Sequence, residues 1–380
     1  MSNTTDVELA GLDCDKTVTV EFRHDDKLNE ETGALMQCAV LYTSCSGQRR
    51  LRVHNMAVNC CTQLADLYRN CETDTIINFF AKYDSLRGLW STGLPKCNEA
   101  KTLADTTAAG PLLQQRPYPS PGAVLMANAR CQVEKKNDDD PYRSVLSNPT
   151  KNVRDTLVNQ CAQILACYRK NCASPSSAGQ LILPECMKLL PVYLNCVLKS
   201  DILQPGADVS LDDRAYLRQL VSAMDVAESH VFFYPRLLPL QKLDVDGTLM
   251  PVAVRDSEER LSRGGVYLLE NGLNVFLWVG VNAQQELLQN IFGTPAFSQI
   301  DPAMISLPAL ENPFSKRLRD IIESIRAERS QYMKLMVVKQ EDKLELIFKH
   351  FLVEDKSNNG GASYVDFLCH MHKEIRQLLS

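Results

Sequence analysis

The run GGVYLLENGLNVFLWVG, residues 264–280, constrains the fold more than any other stretch. Asn271-Gly272 between two apolar segments is a strong hairpin signal, because both residues tolerate the positive φ of a tight turn. The second segment is apolar on both faces, with Leu273, Val275 and Leu277 on one and Phe276 and Trp278 on the other. Such a strand cannot face water on either side, so it belongs inside a sheet with helices on both faces. The chain supplies candidates in AQQELLQNIF, the strand KLMVVKQ and the helix EDKLELIFKHFL. It ends in SYVDFLCHMHKEIRQLL, where Ser363 and Asp366 resemble a capping box. There Tyr364, Leu368, Met371, Ile375 and Leu378 form a helical stripe. The last third therefore reads as an α+β domain.

The first third has a different rhythm. Val18, Val20 and Phe22 alternate with Thr19 and Glu21, the period of a half-buried strand. A second run passes through Cys38, Val40 and Tyr42, turns at Ser46-Gly47, and returns through Leu51 and Val53. Three strands make a thin core, so further strands are expected from sequence upstream of Met1. From about Thr62 the period becomes helical, with Thr73 or Asp74 as N-cap of TDTIINFFAKY. Val153, Leu157, Cys161, Ile164 and Tyr168 then mark a long amphipathic helix. After the polar linker SPSSAGQ, Pro184 suits a first helical turn and Pro191 is expected to kink the helix. A further helix starts at Asp212 and Asp213.

Between these helices, residues 84–141 break the pattern. They contain TLADTTAAGPLLQQRPYPSPGAV and KKNDDDP, without sustained periodicity. A structureless stretch of that length is improbable inside a compact domain, so it reads as a disordered insertion.

Composition excludes several classes. With 45% apolar and 23% charged residues and a net charge of -5, the chain is neither low-complexity nor a polycation built for nucleic acid. It lacks G-x-S-x-G, H-E-x-x-H, a Walker loop and G-x-G-x-x-G, and it is expected not to be an enzyme. Its 14 cysteines are irregularly spaced with no C-x-x-C, which fits small packing residues in a reducing compartment. Cys369, His370 and His372 point in divergent directions on a helix and cannot converge on one ion. His24 and His54 lie on predicted strands without ligand-spaced neighbours. Gly360-Gly361 precedes a helix but lacks the lysine and spacing of a P-loop.

Two segments suit binding. Arg49, Arg50 and Arg52 form a basic strand that reads as a solvated face or as a contact for anionic lipid or an acidic partner. Leu181, Ile182 and Leu183 form a short apolar run between a polar linker and a proline. That run reads either as core filling or as the wall of a groove accepting a short peptide.

The strings CTQLADLYRNCETD, ILACYRKNCASPSSAGQLILPECMKLLPVYLNCVLKS, DDRAYLRQLV, FFYPRLLPL, ERLSRGGVYLLENGLNVFLWVG and FLVEDKSNNGGASYVDFLCHMHKEIRQLLS are specific. They resemble the cargo-adaptor subunit of the COPII vesicle coat, closest to its C- and D-type paralogues, and mark a C-terminal fragment of it. The resemblance implies an α+β multidomain chain: the C-terminal part of a β-sandwich at 1–70, an all-helical domain at 71–225, and a gelsolin-like α/β domain with a C-terminal helix at 226–380. It implies a non-enzymatic coat component that binds export signals of cargo, SNAREs included, for transport from endoplasmic reticulum to Golgi. The alternative is a gelsolin-like actin-binding module.

The implied partners are the GTPase-activating inner-coat subunit, the small coat GTPase indirectly, outer-coat proteins, and the cytosolic face of endoplasmic-reticulum and vesicle membranes, with no nucleic acid. No cofactor is implied, because the family's zinc finger lies outside this chain. Leu181, Ile182 and Leu183 fall on the family's LIL segment, part of a hydrophobic groove for SNARE signals. Residues 84–141 have no counterpart in the family pattern and are either a surface insertion or translated intron.

Overall fold

A computed structural model of the chain describes residues 8–12, 28–90, 149–173, 179–204, 206–207, 209–329 and 331–380. The predicted strand through Val18, Val20 and Phe22 lies outside the described residues. The chain divides into two compact units, described separately below. One comprises Met1–Leu190, Ala215–Ala223 and Met371–Ser380; the other comprises Pro191–Arg214 and Met224–His370.

The first unit opens with β1 (Ala34–Thr43) and β2 (Arg49–Val58), paired antiparallel from Ala34↔Val58 to Thr43↔Arg49. Gly47 turns the chain at a φ of 80°, and its N–H donates to the Ser44 carbonyl at 2.8 Å. Leu35, Leu41, Leu51 and Val53 share one face of this ribbon and are all exposed. Helices α1 (Leu64–Arg69), α2 (Thr73–Trp90) and α3 (Pro149–Asn171) follow. Helix α2 runs to Trp90, beyond the boundary expected at residue 84, and the rest of that segment, 91–141, lies outside the described residues. Helix α3 packs against α1 and α2. Its most deeply buried line is Leu157, Cys161 and Leu165, while Ile164 and Tyr168 stand half-buried beside it.

Helix α4 (Leu190–Lys199) corrects one expectation. Pro191 does not kink it but occupies its first turn, where the missing N–H has no intrahelical partner to lose. Pro184 instead precedes a single 3₁₀ turn, Glu185–Met187. Helix α5 (Leu211–Ala223) is capped by Ser210, whose hydroxyl accepts from the Asp213 N–H at 3.1 Å. Helix α6 (Val226–Phe233) begins with a complete capping box between Asp225 and Glu228.

The second unit is built on a four-stranded sheet of order β3 (Arg236–Pro239), β4 (Val266–Glu270), β5 (Asn274–Val279) and β6 (Lys334–Lys339). The first three strands are antiparallel, and β6 runs parallel to β5. The predicted turn forms at Asn271-Gly272. Asn271 Oδ1 accepts from the Leu273 and Asn274 N–H groups at 3.0 and 2.8 Å, and Gly272 has a φ of 79°.

Strand β5 is interior, and both its faces are covered. Val275, Leu277 and Val279 pack with α7 (Gln285–Phe292) and α8 (Pro313–Ala327). Phe276 and Trp278 pack with Phe348 of α9 (Leu344–His350), and Trp278 donates to Glu345 Oε1 at 3.0 Å. The last helix, α10 (Tyr364–Leu379), is capped by Ser363, which accepts from the Asp366 N–H at 3.2 Å. Its buried residues are Phe367, Met371 and Ile375, so Phe367 rather than Tyr364 or Leu368 anchors the stripe, and Leu378 is exposed.

Residues Pro191–Arg214 join the second unit through polar contacts. Lys199 Nζ donates to the carbonyls of Val353, at 2.8 Å, and Asp355. Asn195 donates to the Ala362 carbonyl, and Gln204 and Asn359 exchange hydrogen bonds with each other's carbonyls. Gly361 lies against this lysine: a Cβ there would come within 2.7 Å of Lys199 Cγ. The Gly360-Gly361 turn thus packs on a side chain instead of framing an anion.

The eleven described cysteines are free thiols, and only Cys161 and Cys196 are buried. Cys38, Cys45, Cys186 and Cys369 are exposed, so packing accounts for a minority of them. Among the described residues, no helix is long and apolar enough to cross a membrane.

Candidate functional site

Leu181, Ile182 and Leu183 lie in the first unit, outside regular secondary structure, and all three are half-buried. Leu183 precedes Pro184, which disfavours helical backbone there. Pro184 itself is extended, with φ of -58° and ψ of 143°.

The segment is fastened at both ends. Upstream, Arg169 near the C-terminus of α3 donates from Nη1 to the Gln180 carbonyl. Downstream, Thr73 Oγ1 donates to the Cys186 carbonyl at 2.6 Å, and the Cys186 thiol donates to the Arg69 carbonyl at 2.9 Å. Thr73 was the expected cap of α2. It is the first residue of that helix, and its hydroxyl is spent on the 3₁₀ turn. Met187 and Leu190 just beyond are fully buried and fix the turn from below.

Tyr68 braces the frame. Its hydroxyl donates to the Ile164 carbonyl at 2.6 Å, and its ring meets Tyr168 edge-on at 5.0 Å. Burial pushes the Tyr68 phenol far above its ordinary range, so it is a donor at any physiological pH. The result is a half-exposed apolar strip on a fixed backbone. A strip of this kind can accept alternate side chains of an extended peptide with little ordering cost on its own side.

Sequence reasoning singled out the three apolar residues but missed their anchors, Arg69, Thr73, Arg169 and Cys186. Two of these bonds reach main-chain carbonyls over more than 100 positions, and no local pattern encodes such contacts.

The other singled-out residues stand apart from the strip. Arg49, Arg50 and Arg52 are exposed at the turn end of β2; Arg50 reaches Gln48 Oε1 at 2.8 Å, and Arg52 is paired across the ribbon with Val40. His54 is half-buried on β2, and His24 lies outside the described residues. Cys369 and His370 are exposed and His372 half-buried on α10. Among the described residues, no three His, Cys, Asp or Glu side chains gather as a metal site.

Comparison with known proteins gives three family matches: the Sec23/Sec24 beta-sandwich domain at residues 1–61, the Sec23/Sec24 helical domain at 141–231, and a gelsolin repeat at 247–322. Over its whole length the chain is 64% identical to human protein transport protein Sec24C and 50% identical to human Sec24D. It is 30% identical to SEC24 B of Arabidopsis thaliana across 99% of its length. The chain spans 30% of the length of that Sec24C and 31% of that Sec24D. A crystal structure of the human COPII-coat protein Sec24c matches with a TM-score of 0.76 at 62% identity, covering all of this chain and 43% of that one.

Proposed function

Because the chain belongs to the Sec23/Sec24 family, we propose that it serves as a non-enzymatic COPII coat component that binds cytoplasmic export signals of membrane cargo and SNAREs. The observation that carries this reading is the 64% identity to human Sec24C over the length of the chain. The same match favours the coat over the actin-binding alternative, since the gelsolin repeat shares the chain with two Sec23/Sec24 domains. On this reading the chain falls into a β-sandwich portion at 1–70, a helical domain at 71–225 and a gelsolin-like domain at 226–380. It acts on the cytosolic face of endoplasmic-reticulum and vesicle membranes. Its partners are the GTPase-activating inner-coat subunit, outer-coat proteins and, indirectly, the small coat GTPase.

The peptide site in this reading is Leu181, Ile182 and Leu183. They supply apolar surface, and the carbonyl anchors of Gln180 and Cys186 hold that surface in place. Losing three apolar contacts worth about 1 kcal/mol each should weaken a signal peptide about a hundredfold. Replacing all three with Ala and titrating a fluorescent SNARE signal peptide tests the assignment; unchanged affinity overturns it.

A further inference from the structure

Cys186 is held against the turn between α1 and α2. Its thiol donates to the Arg69 carbonyl and its carbonyl accepts from Thr73 Oγ1, at 2.9 and 2.6 Å. Cys71 lies midway between those two partners in the chain. Cys186 is exposed and Cys71 half-buried. Burial first, then the Cys186 charge, pushes the Cys71 thiol up to about 12. Cys61 adds a smaller contribution of the same sign.

We propose that Cys71 and Cys186 are an oxidative modification site, a dithiol that hydrogen peroxide converts to a disulfide at the foot of segment 181–183. The proposal rests on the function given above only for its consequence, not for the bond itself.

The chemistry balances in two steps. The exposed Cys186 sulfur attacks peroxide, an S–O bond forms as the O–O bond breaks, and one water leaves a sulfenic acid. The Cys71 sulfur then attacks that sulfur and gives up its proton. An S–S bond forms as the S–O bond breaks, and a second water departs. Two thiols lose two electrons, and one peroxide is reduced to two waters. The roles follow from the surroundings. Cys186 is the sulfur that solvent and peroxide reach first, whereas half-burial shields Cys71 from direct attack on peroxide.

Bonding exchanges the thiol's hydrogen bond to Arg69 for a covalent tie. That tie fixes the Glu185–Met187 turn to the α1–α2 turn and restricts the backbone below Leu181, Ile182 and Leu183. Oxidation would thereby set the rigidity of the strip.

The test treats the full chain with hydrogen peroxide, blocks remaining thiols, digests without reduction and maps the linked peptides by mass spectrometry. A Cys71–Cys186 pair is expected, lost on later reduction, with amide exchange across 180–187 slowed at least tenfold in the oxidised form. In Cys71→Ser, Cys186 should instead accumulate as a sulfenic acid trapped by dimedone. A Cys61–Cys71 pair, or both Cys71 and Cys186 recovered as free thiols, overturns the proposal. The wild-type map needs no variant, so the proposal stays falsifiable even where a substitution fails to fold. Signal-peptide binding by the reduced protein is scored separately: its absence sinks the function above without touching the disulfide.

Discussion

Strands β1–β2 and β4–β5 are both antiparallel hairpins closed at a glycine of positive φ, and they use their side chains in opposite ways. In β1 and β2 only Val58 is buried; in β4 and β5 every residue except Asn274 is. The turn chemistry is equivalent, so the turn does not decide the outcome. The difference lies in what each ribbon meets. The β4–β5 ribbon has strands on both edges and helices on both faces, and it can be apolar throughout. The β1–β2 ribbon forms a two-stranded sheet among the described residues, and it carries arginines and polar residues among its leucines. A two-stranded ribbon is marginal by itself, so its stability must depend on what packs against it.

Substitutions put that contrast at risk. The largest effect is expected at Glu270 of β4, fully buried between Arg236 and the nearly buried Arg329. Glu270→Ala strands the nearly buried Arg329 guanidinium, while Arg236 keeps Glu328 at 3.2 Å, and should cost about 3–5 kcal/mol in urea unfolding. Next, Leu277→Ala in the middle of β5 opens a cavity and should cost about 2–5 kcal/mol, whereas Leu41→Ala on the exposed ribbon should stay within about 0.5 kcal/mol. Equal losses at the two leucines would erase the distinction.

A smaller effect is tied to pH. Burial raises the Asp256 carboxyl well above the ordinary range, outweighing the Val353 N–H that donates to it. The native state therefore keeps a proton that the unfolded chain has already released. Stability attributable to Asp256 falls as pH rises from the ordinary carboxylate range through the folded pKa. The difference between wild type and Asp256→Asn, measured across that window, should show this slope. The smallest effect is expected at Tyr68→Phe, which loses one hydrogen bond to the Ile164 carbonyl and should cost about 1 kcal/mol.

Much of the fold was legible because its signals are local. Asn271-Gly272, the doubly apolar β5 and the Ser363 cap each announce themselves within a few residues. The errors arose where a local rule had two outcomes. Proline breaks a helix interior but opens a first turn, and Pro191 falls in the second situation. Cysteine packs well but also tolerates the surface, and most of the described ones are not buried. At the candidate site the apolar residues 181–183 were visible as a run, and the family resemblance gave them a role. The bonds that hold the run, from the side chains of Arg169, Thr73 and Cys186, end on main-chain carbonyls of other segments and leave no periodic trace.

The proposed function stands or falls on a peptide lying along Leu181, Ile182 and Leu183. A SNARE signal peptide carrying a photo-activatable side chain, cross-linked to the full chain and mapped by mass spectrometry, locates that peptide without relying on affinity. Adducts on residues 180–184 are expected, competed away by unlabelled peptide. Competable adducts confined to other segments, with 180–184 unmodified, would contradict the assignment.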